Sequence, residues 1–387
     1  VPPRDLPQAE HAPGDATVSG APDIHLATPA DEPDIRALVG SIAMPGAVAV
    51  RFAREPDYFL GTTIMGNPCD VLVARHEPDG RLAGIACRAE RRSFVNGAEA
   101  TTGYIGQIRI AEEFRGSWLV QRGARLMRAM SPPGLIYLGV IARENPRARG
   151  ALIERRPPGG LRAVRLSGLT TCAIVLRQRG AGHQQRAAGG VDVSPACDAL
   201  LPAVVAFLRA RGPQRQLFPA YSLDDLRGGP RMRGLAVSDI LIAHRADHIL
   251  GVMGVWDQHA YKQDVVESYG PSLARIRPAY DAAARLLGTQ PLTPPGEAIP
   301  LAFGACISVA DDDPQVMRAL VRAATAHAVA AGKAYLMLGF ADADPLLAVA
   351  RRWPHITYRS DVYAFSWSAD PAAVLDGRLP YVEVATL

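Results

Sequence analysis

The chain has 387 residues, 48% of them hydrophobic, and a formal net charge of +4 at pH 7, which is enough for two domains with proper cores and too much for one. Its five cysteines (Cys69, Cys87, Cys172, Cys197, Cys306) are scattered and lack C-x-x-C spacing, which argues against a disulfide framework and a structural zinc site. The small charge, without lysine runs or interleaved aromatics, does not suggest nucleic-acid binding. No apolar run reaches the roughly 18 residues of a membrane span and the first residues carry no export signal, so a cytoplasmic protein without membrane partners is expected.

Residues 1–22, rich in Pro, Ala, Gly and acids, read as a disordered lead-in. A first domain is expected over 23–178. It opens with a strand at Ile24–Ala27, followed by a helix whose inner face is Ile35, Leu38 and Val39, capped by Thr28 or Asp31 with Pro33 in its first turn. Two apolar segments, Asp70–His76 and Leu82–Arg88, flank Glu77-Pro78-Asp79-Gly80, a hairpin signal. A strand at Tyr104–Ile110 then meets Phe114-Arg115-Gly116-Ser117-Trp118-Leu119-Val120 and a helical pattern through Met127. A strand at Leu135–Ile141, a helix near Arg147–Glu154 and a strand at Thr171–Leu176 close the domain.

The Gly- and polar-rich stretch 179–192 reads as a linker. A second domain, expected over 193–370, carries a helix at Cys197–Arg209, a hairpin at Ile240–His244 and Ile249–Val255, and a helical insert near Ser272–Leu287. Strands at Leu301–Val309, Ala334–Phe340 and Val362–Trp367 alternate with helices at Pro314–Ala331 and Pro345–Trp353. The element order repeats that of the first domain. Residues 371–387 form a C-terminal segment whose Pro380–Val384 alternation suits a strand, paired within this chain or with a partner.

A strand, a tight Gly turn and a helix start make an anion site, because about four unpaired N–H groups and roughly half a positive charge converge there. At this point the chain resembles the GNAT-type acyltransferase superfamily. Arg115 matches the Arg that opens the family's pyrophosphate-binding turn, whereas Trp118 and Val120 stand where two small residues normally sit. The resemblance implies an α/β (α+β) fold of two tandem GNAT-like domains, each a twisted mixed sheet flanked by helices. It also implies an acyl-coenzyme A cofactor, most simply acetyl-CoA, on the amides and side chains of Ile108, Arg109, Ile110, Arg115, Gly116, Ser117, Trp118, Leu119, Val120 and Asn145. The Trp and Val replacements could equally reshape the arm of the site for a longer acyl chain.

The second copy departs from the pattern. Asp311-Asp312-Asp313 precede its helix, and three carboxylates there repel phosphate while suiting a helix cap. It is therefore read as degenerate. Paired architectures of this kind occur in the superfamily, protein N-myristoyltransferases among them, with substrate between the halves.

Acyl transfer to an amine needs an oxyanion donor and a proton acceptor. Glu144, Tyr104 and Gln107 are the catalytic candidates, with Glu99 near the same mouth. The family's leaving-group tyrosine, seven residues after Asn145, is here Leu152. Trp256, Asp257, Gln258 and Lys262 lie in a dense polar stretch after an apolar strand and are candidates for binding a small amine or amino-acid-like acceptor. Lys262 and Lys333 are the only lysines among 42 basic residues, so Lys262, which can shift its pKa, stands out, and arginine clusters such as 143, 147, 149, 162 and 165 are discounted as coding bias. His244 and His248 straddle a hairpin turn, so no metal site is expected. The activity expected is an acyl-CoA-dependent N-acyltransferase; the alternative is a GNAT-like protein that binds an acyl-CoA or metabolite without turnover.

Overall fold

The computed structural model describes residues 23–115, 119–154, 160–177 and 190–387. In the first half, β1 (Asp23–Leu26) leads into helix α1 (Glu32–Ser41), β2 (Ala43–Met44), β3 (Val48–Ala53), and the meander β4 (Cys69–Arg75), β5 (Leu82–Val95) and β6 (Ala98–Ile110). Helix α2 (Leu119–Ala129), β7 (Tyr137–Ala142), the one-turn α3 (Pro146–Arg149) and β8 (Arg162–Val175) complete it. The second half runs β9 (Asp192–Pro195), α4 (Leu201–Arg211), α5 (Leu223–Leu226), β10 (Ile240–Arg245), β11 (His248–Trp256), β12 (Gln263–Tyr269) and α6 (Pro271–Leu287). Strand β13 (Leu301–Val309), α7 (Pro314–Ala330), β14 (Tyr335–Ala341), α8 (Pro345–Ala350) and β15 (His355–Ser366) end it.

Local signals act as the residues suggest. Ile35, Leu38 and Val39 are the buried face of α1, and Asp344 and Asp313 cap α8 and α7 by accepting from Leu346 N–H at 2.9 Å and Gln315 N–H at 2.7 Å. The hairpin between β5 and β6 turns on Asn96 and Gly97, both at positive φ (52° and 83°), the conformation that matches the twist of the flanking strands. The helix expected near Arg147–Glu154 is shorter: only Pro146–Arg149 is α-helical, and Gly150–Glu154 widens into a π-type turn.

Twelve strands form one sheet in the order β1-β4-β5-β6-β7-β15-β8-β14-β13-β11-β10-β9. The closing strand of each half thus lies against the other half. Strand β15 pairs with β7 from Phe365↔Tyr137 to Ser360↔Ala142, and β8 pairs with β14 from Leu169↔Ala341 to Val175↔Tyr335. At the centre β8 and β15 run antiparallel from His355↔Ile174 to Ser366↔Arg162, with one bulge. Ion pairs fasten the exchange: Asp361 takes Arg143 at 3.0 Å and Arg165 at 2.8 Å, and Asp342 takes Arg143 at 2.8 Å and the Thr170 hydroxyl at 2.7 Å. Two of the arginines set aside as coding bias are therefore structural.

A second sheet, β12-β3-β2, joins the halves again. Here β12 pairs with β3 from Gln263↔Ala53 to Tyr269↔Val48. The helical insert expected near Ser272–Leu287 is α6 (Pro271–Leu287), whereas both strands of this pairing were missed in the sequence. The Pro380–Val384 alternation stays within its own chain: Pro380 bridges Gln216, and the segment that follows is buried against β13. The proposed linker 179–192 lies mostly outside the described residues.

Ile174, on β8 of the first half, is fully buried and lies opposite Leu336 and His355 of the second half. Ile174→Ala is expected to cost about 2–5 kcal/mol. Because β8 is shared, urea unfolding followed by fluorescence and by circular dichroism should show one coincident transition moved to lower urea; two separated transitions would contradict the interlocked sheet.

Candidate functional site

In each half, two parallel strands diverge and leave a wedge. Strands β6 and β7 pair only at Gly103↔Tyr137 and Tyr104↔Leu138, and β13 and β14 only from Leu301↔Tyr335 to Phe303↔Met337. A bulge bends β6 at Gln107 (φ 52°) and β13 at Cys306 (φ 44°), conformations that cost non-glycine residues energy and recur at functional sites.

The two wedges have opposite fates. Residues 302–309 of β13 are all buried, whereas residues 106–110 of β6 are all half-exposed. The C-terminal segment fills the second wedge: Cys306 N–H donates to Glu383 Oε2 at 2.7 Å, and Ile307 N–H donates to the Tyr381 hydroxyl at 3.0 Å. The Tyr221 and Tyr381 hydroxyls donate to the same Glu383 oxygen at 2.7 and 3.0 Å, while burial pushes the Glu383 carboxyl above its usual range. A side chain at Gly339 would collide with Val384, whose Cγ1 lies 2.1 Å from where its Cβ would be. The Asp311–Asp313 turn carries paired acids, with Asp311 on Arg211 at 3.2 Å and Asp312 on Arg215 at 2.6 Å.

The sequence candidates separate clearly. Ile108, Arg109 and Ile110 lie on the open edge of β6, half-exposed. Leu119, buried, and Val120 open α2; Gly116, Ser117 and Trp118 lie outside the described residues. Arg115 pairs with the exposed Glu112 at 3.2 Å. Asn145 caps α3 by accepting from Ala148 N–H at 3.0 Å, and Leu152 packs into the core beneath β7. Glu144 is exposed in the turn between β7 and α3, and Glu99 is held below its usual range by Arg92, with Arg209 also bonded to it. Tyr104 is buried, and burial pushes its hydroxyl up to about 12; it stays protonated at neutral pH. Trp256 is buried, its indole N–H donating to the Arg233 carbonyl at 2.8 Å. Asp257 pairs with Lys333 at 2.5 Å, and Gln258 Nε2 donates to the Ala385 carbonyl at 2.9 Å.

Gln107 and Lys262, one from each half, meet at a single cavity. It is also lined by Arg54, Tyr58, Thr62 and Leu387 and holds about 10 Å³, the room of roughly one water molecule. Gln107 Oε1 is buried there without a hydrogen-bond partner. Lys262 Nζ donates to the Ala385 carbonyl at 3.1 Å and to a backbone oxygen of Leu387, the last residue of the sequence, at 2.8 Å, and lies 4.7 Å from the Phe303 ring centroid. Burial, with Arg54 nearby, brings the Lys262 ammonium down to about 7 against the pull of Asp264 and Glu383.

Sequence reasoning missed Arg54, Tyr58 and Asp264. The signal was the alternation Val48-Ala49-Val50-Arg51-Phe52 facing Asp264-Val265-Val266-Glu267, two strands whose pairing carries Arg54 and Lys262 to the same place.

The large mixed sheet flanked by helices, with a diverging parallel pair in each half, matches the fold of solved GNAT-type N-acyltransferases. No family model and no curated protein matches its sequence. Solved structures do match its fold. N-myristoyltransferase of Saccharomyces cerevisiae with bound myristoyl-CoA is similar at a TM-score of 0.57 and 9% identity, over 91% of this chain and 85% of that one. A GCN5-related N-acetyltransferase from Sphaerobacter thermophilus is similar at a TM-score of 0.51 and 12% identity, over 95% and 98%. The GCN5-related glucosamine N-acetyltransferase region of a fungal multi-domain β-N-acetylglucosaminidase reaches a TM-score of 0.57 at 12% identity, over 91% of this chain and 39% of that one. At such identities the likeness is one of fold.

The pH dependence of Lys262 is testable. Its pKa is about 7 in the fold against 10.5 as an ordinary lysine, so between those values the unfolded chain binds more protons and stability rises with pH. Below pH 7 both states are protonated and the cost of the buried ammonium is complete. Wild type is therefore expected to gain stability relative to Lys262→Met from pH 7 to pH 10 in urea titrations; a constant difference would mean an ordinary, solvated lysine.

Proposed function

We propose that the protein is an acyl-CoA-dependent N-acyltransferase, with the acyl-CoA in the first half and a small amine or amino-acid-like acceptor at the join of the halves. The carrying observation is the asymmetry of the wedges: past Tyr104 β6 is left unpaired by β7 and its residues are only half-buried, where the equivalent edge of β13 is buried under the chain's own segment. Backbone N–H groups on a strand edge suit both pantetheine and the oxyanion of a tetrahedral intermediate. The myristoyl-CoA complex of the similar yeast enzyme supports an acyl-CoA as cofactor.

In this reading the Arg115 turn and the start of α2 receive the pyrophosphate, and the exposed Arg122, Arg125 and Arg128 of α2 add positive charge around it. The acceptor nitrogen attacks the thioester carbon, the C–S bond breaks and coenzyme A leaves as thiolate. The proton lost by the acceptor nitrogen goes to neutral Lys262, whose titration near 7 matches what a general base needs at neutral pH. Tyr104, protonated and apolar-facing, supports β6 and takes no proton. The second reading, binding without turnover, is favoured by Leu152, which offers no proton to the leaving thiolate; a coenzyme A thiol is acidic enough to leave unaided.

Calorimetric titration with coenzyme A, acetyl-CoA and myristoyl-CoA tests the cofactor and, by its ranking, the acyl length. Arg115→Ala is expected to weaken coenzyme A binding by about 1.5–3 kcal/mol, the worth of a charge-assisted hydrogen bond. Unchanged affinity would move the pyrophosphate elsewhere. Thiol release with a panel of amines separates the two readings: tight binding of acyl-CoA with no release, in wild type and at any pH from 6 to 9, would leave a binding protein.

A further inference from the structure

Part of one face of the large sheet is open beside the join of the halves. Residues opposite one another on paired strands share a face, as do residues two apart on one strand. Ile356 and Tyr358 of β15 therefore lie on the face of Ala173 and Thr171 of β8, Met337 and Tyr335 of β14 and Phe303 of β13. Lys262 Nζ, 4.7 Å from the Phe303 ring centroid, stands over the same face. Val384 of the C-terminal segment covers it at Gly339, while on β15 Ile356 is 42% and Tyr358 48% exposed. Tyr358 lies in a recess all the same: the chain around it raises its hydroxyl above the ordinary value, and Asp264 adds to the effect. Beside it the Tyr335 hydroxyl is pushed up to about 12 by burial and by the Tyr280, Tyr269 and Tyr358 hydroxyls, so tyrosines from α6, β12, β14 and β15 gather there.

The charged group at this recess is Asp264 of β12, two residues from Lys262. Ile299 N–H donates to its backbone carbonyl at 2.8 Å and Phe52 of β3 lies opposite it, which fixes its place. Its Oδ1 is buried without a hydrogen-bond partner; burial pushes its carboxyl up, and Lys262 and Arg54 pull it down. Lys262 directs two of its hydrogens to the Ala385 carbonyl and the Leu387 backbone oxygen. Arg277, over the Tyr269 ring at 5.1 Å, is paired with Asp281 at 3.5 Å. A carboxylate oxygen out of water and without a donor is costly, and an ammonium supplies both the donor and the opposite charge.

We infer that this recess is the acceptor site and that it takes a primary amine on an apolar body without a carboxylate, the ammonium on Asp264 and the body across Ile356, Tyr358 and the neighbouring tyrosines. Aromatic rings accept both parts of such a molecule, the apolar body by burial and the positive charge at the ring face. An amino acid is disfavoured, because its carboxylate would be brought up to that of Asp264. The inference rests on the acyltransferase reading for the reaction that the amine enters, and it decides between the amine and the amino acid that this reading leaves open.

The test reads binding rather than turnover, so its failure and failure of the acyltransferase reading are separate: a chain that binds the amine and no acyl-CoA keeps the site and loses the reaction. Thermal unfolding of the full chain is followed with each probe, alone and with excess coenzyme A. Phenethylamine carries charge and body, phenethyl alcohol the body, ethanolamine the charge, and phenylalanine adds a carboxylate. Phenethylamine is expected to give a saturable rise in Tm, at a half-saturating concentration at least about tenfold below that of each other probe. Asp264→Asn should bring phenethylamine to the level of phenethyl alcohol. Tyr358→Ala, a change at a half-exposed side chain, should weaken phenethylamine about two- to tenfold and leave ethanolamine unchanged. Should Asp264→Asn not fold, Tyr358→Ala carries the comparison. Equal binding of phenylalanine, no rise with phenethylamine in either condition, or unchanged affinity for it in either folded variant would overturn the inference.

Discussion

The antiparallel pairing of β8 with β15 is the constraint on which the rest of the structure depends. Each is the last strand of its own half, and each lies against the sheet of the other. Side chains alternate along a strand, so the register from His355↔Ile174 to Ser366↔Arg162 fixes which residues of both halves face which core. The smaller β12–β3 pairing closes the join a second time and sets Arg54 next to Lys262. Neither element can reach its place until distant parts of the chain meet, and such long-range pairing makes folding slow relative to stability. The same interlocking gives the join a rigidity that a hinged pair of domains would lack, and a site made from both halves needs that rigidity to hold its groups in fixed geometry.

Each half has a wedge where two parallel strands diverge, and what fills each distinguishes the halves. A diverging strand edge presents backbone N–H groups that require partners once buried. In the second half the chain provides them itself: Glu383 and Tyr381 accept from the bulge of β13, and Val384 occupies the space that Gly339 leaves. Burial of a carboxyl is costly, and three donors to a single oxygen of Glu383 offset that cost. With the wedge occupied and acids at the following helix start, the strand edge of this half is closed by the chain itself. Its β12 strand carries Lys262 to a small cavity whose other wall belongs to the first half.

Much of the fold was legible in the sequence because its signals are local. The hydrophobic period of α1, the Pro78–Gly80 turn and the aspartate caps of α7 and α8 each act within a few residues, and the strand at Leu301–Val309 was placed to the residue. What was not legible is what depends on distant partners. Nothing within β15 says that it will lie between β7 and β8, since any apolar-alternating strand could. The β3 and β12 alternations were visible but short, and each reads as a loop until the other is known. The same limit applies to the site. Lys262 stood out as one of two lysines and Gln107 by its place on the last strand of the meander, but Arg54 was one arginine among many, and only burial without a carboxylate in direct contact sets it apart.

That last distinction bears on how buried charge is to be read in an arginine-rich chain. Arg88 is also fully buried, yet Asp70 at 2.7 Å, Glu90 and the Tyr137 hydroxyl at 2.9 Å occupy its donors, so its charge is neutralised locally and its role is structural. Around the cavity the arrangement is different. Arg54, Arg91 and Arg109 are held by carbonyl or hydroxyl oxygens, while burial pushes the two nearest carboxyls, Asp264 and Glu383, towards their neutral forms and the Lys262 ammonium towards its own. Each group has moved towards neutrality except the guanidiniums, which cannot lose their protons. Arg54 therefore keeps its charge with no carboxylate in direct contact, in a cavity that it shares with Gln107 of the part of β6 that β7 leaves unpaired.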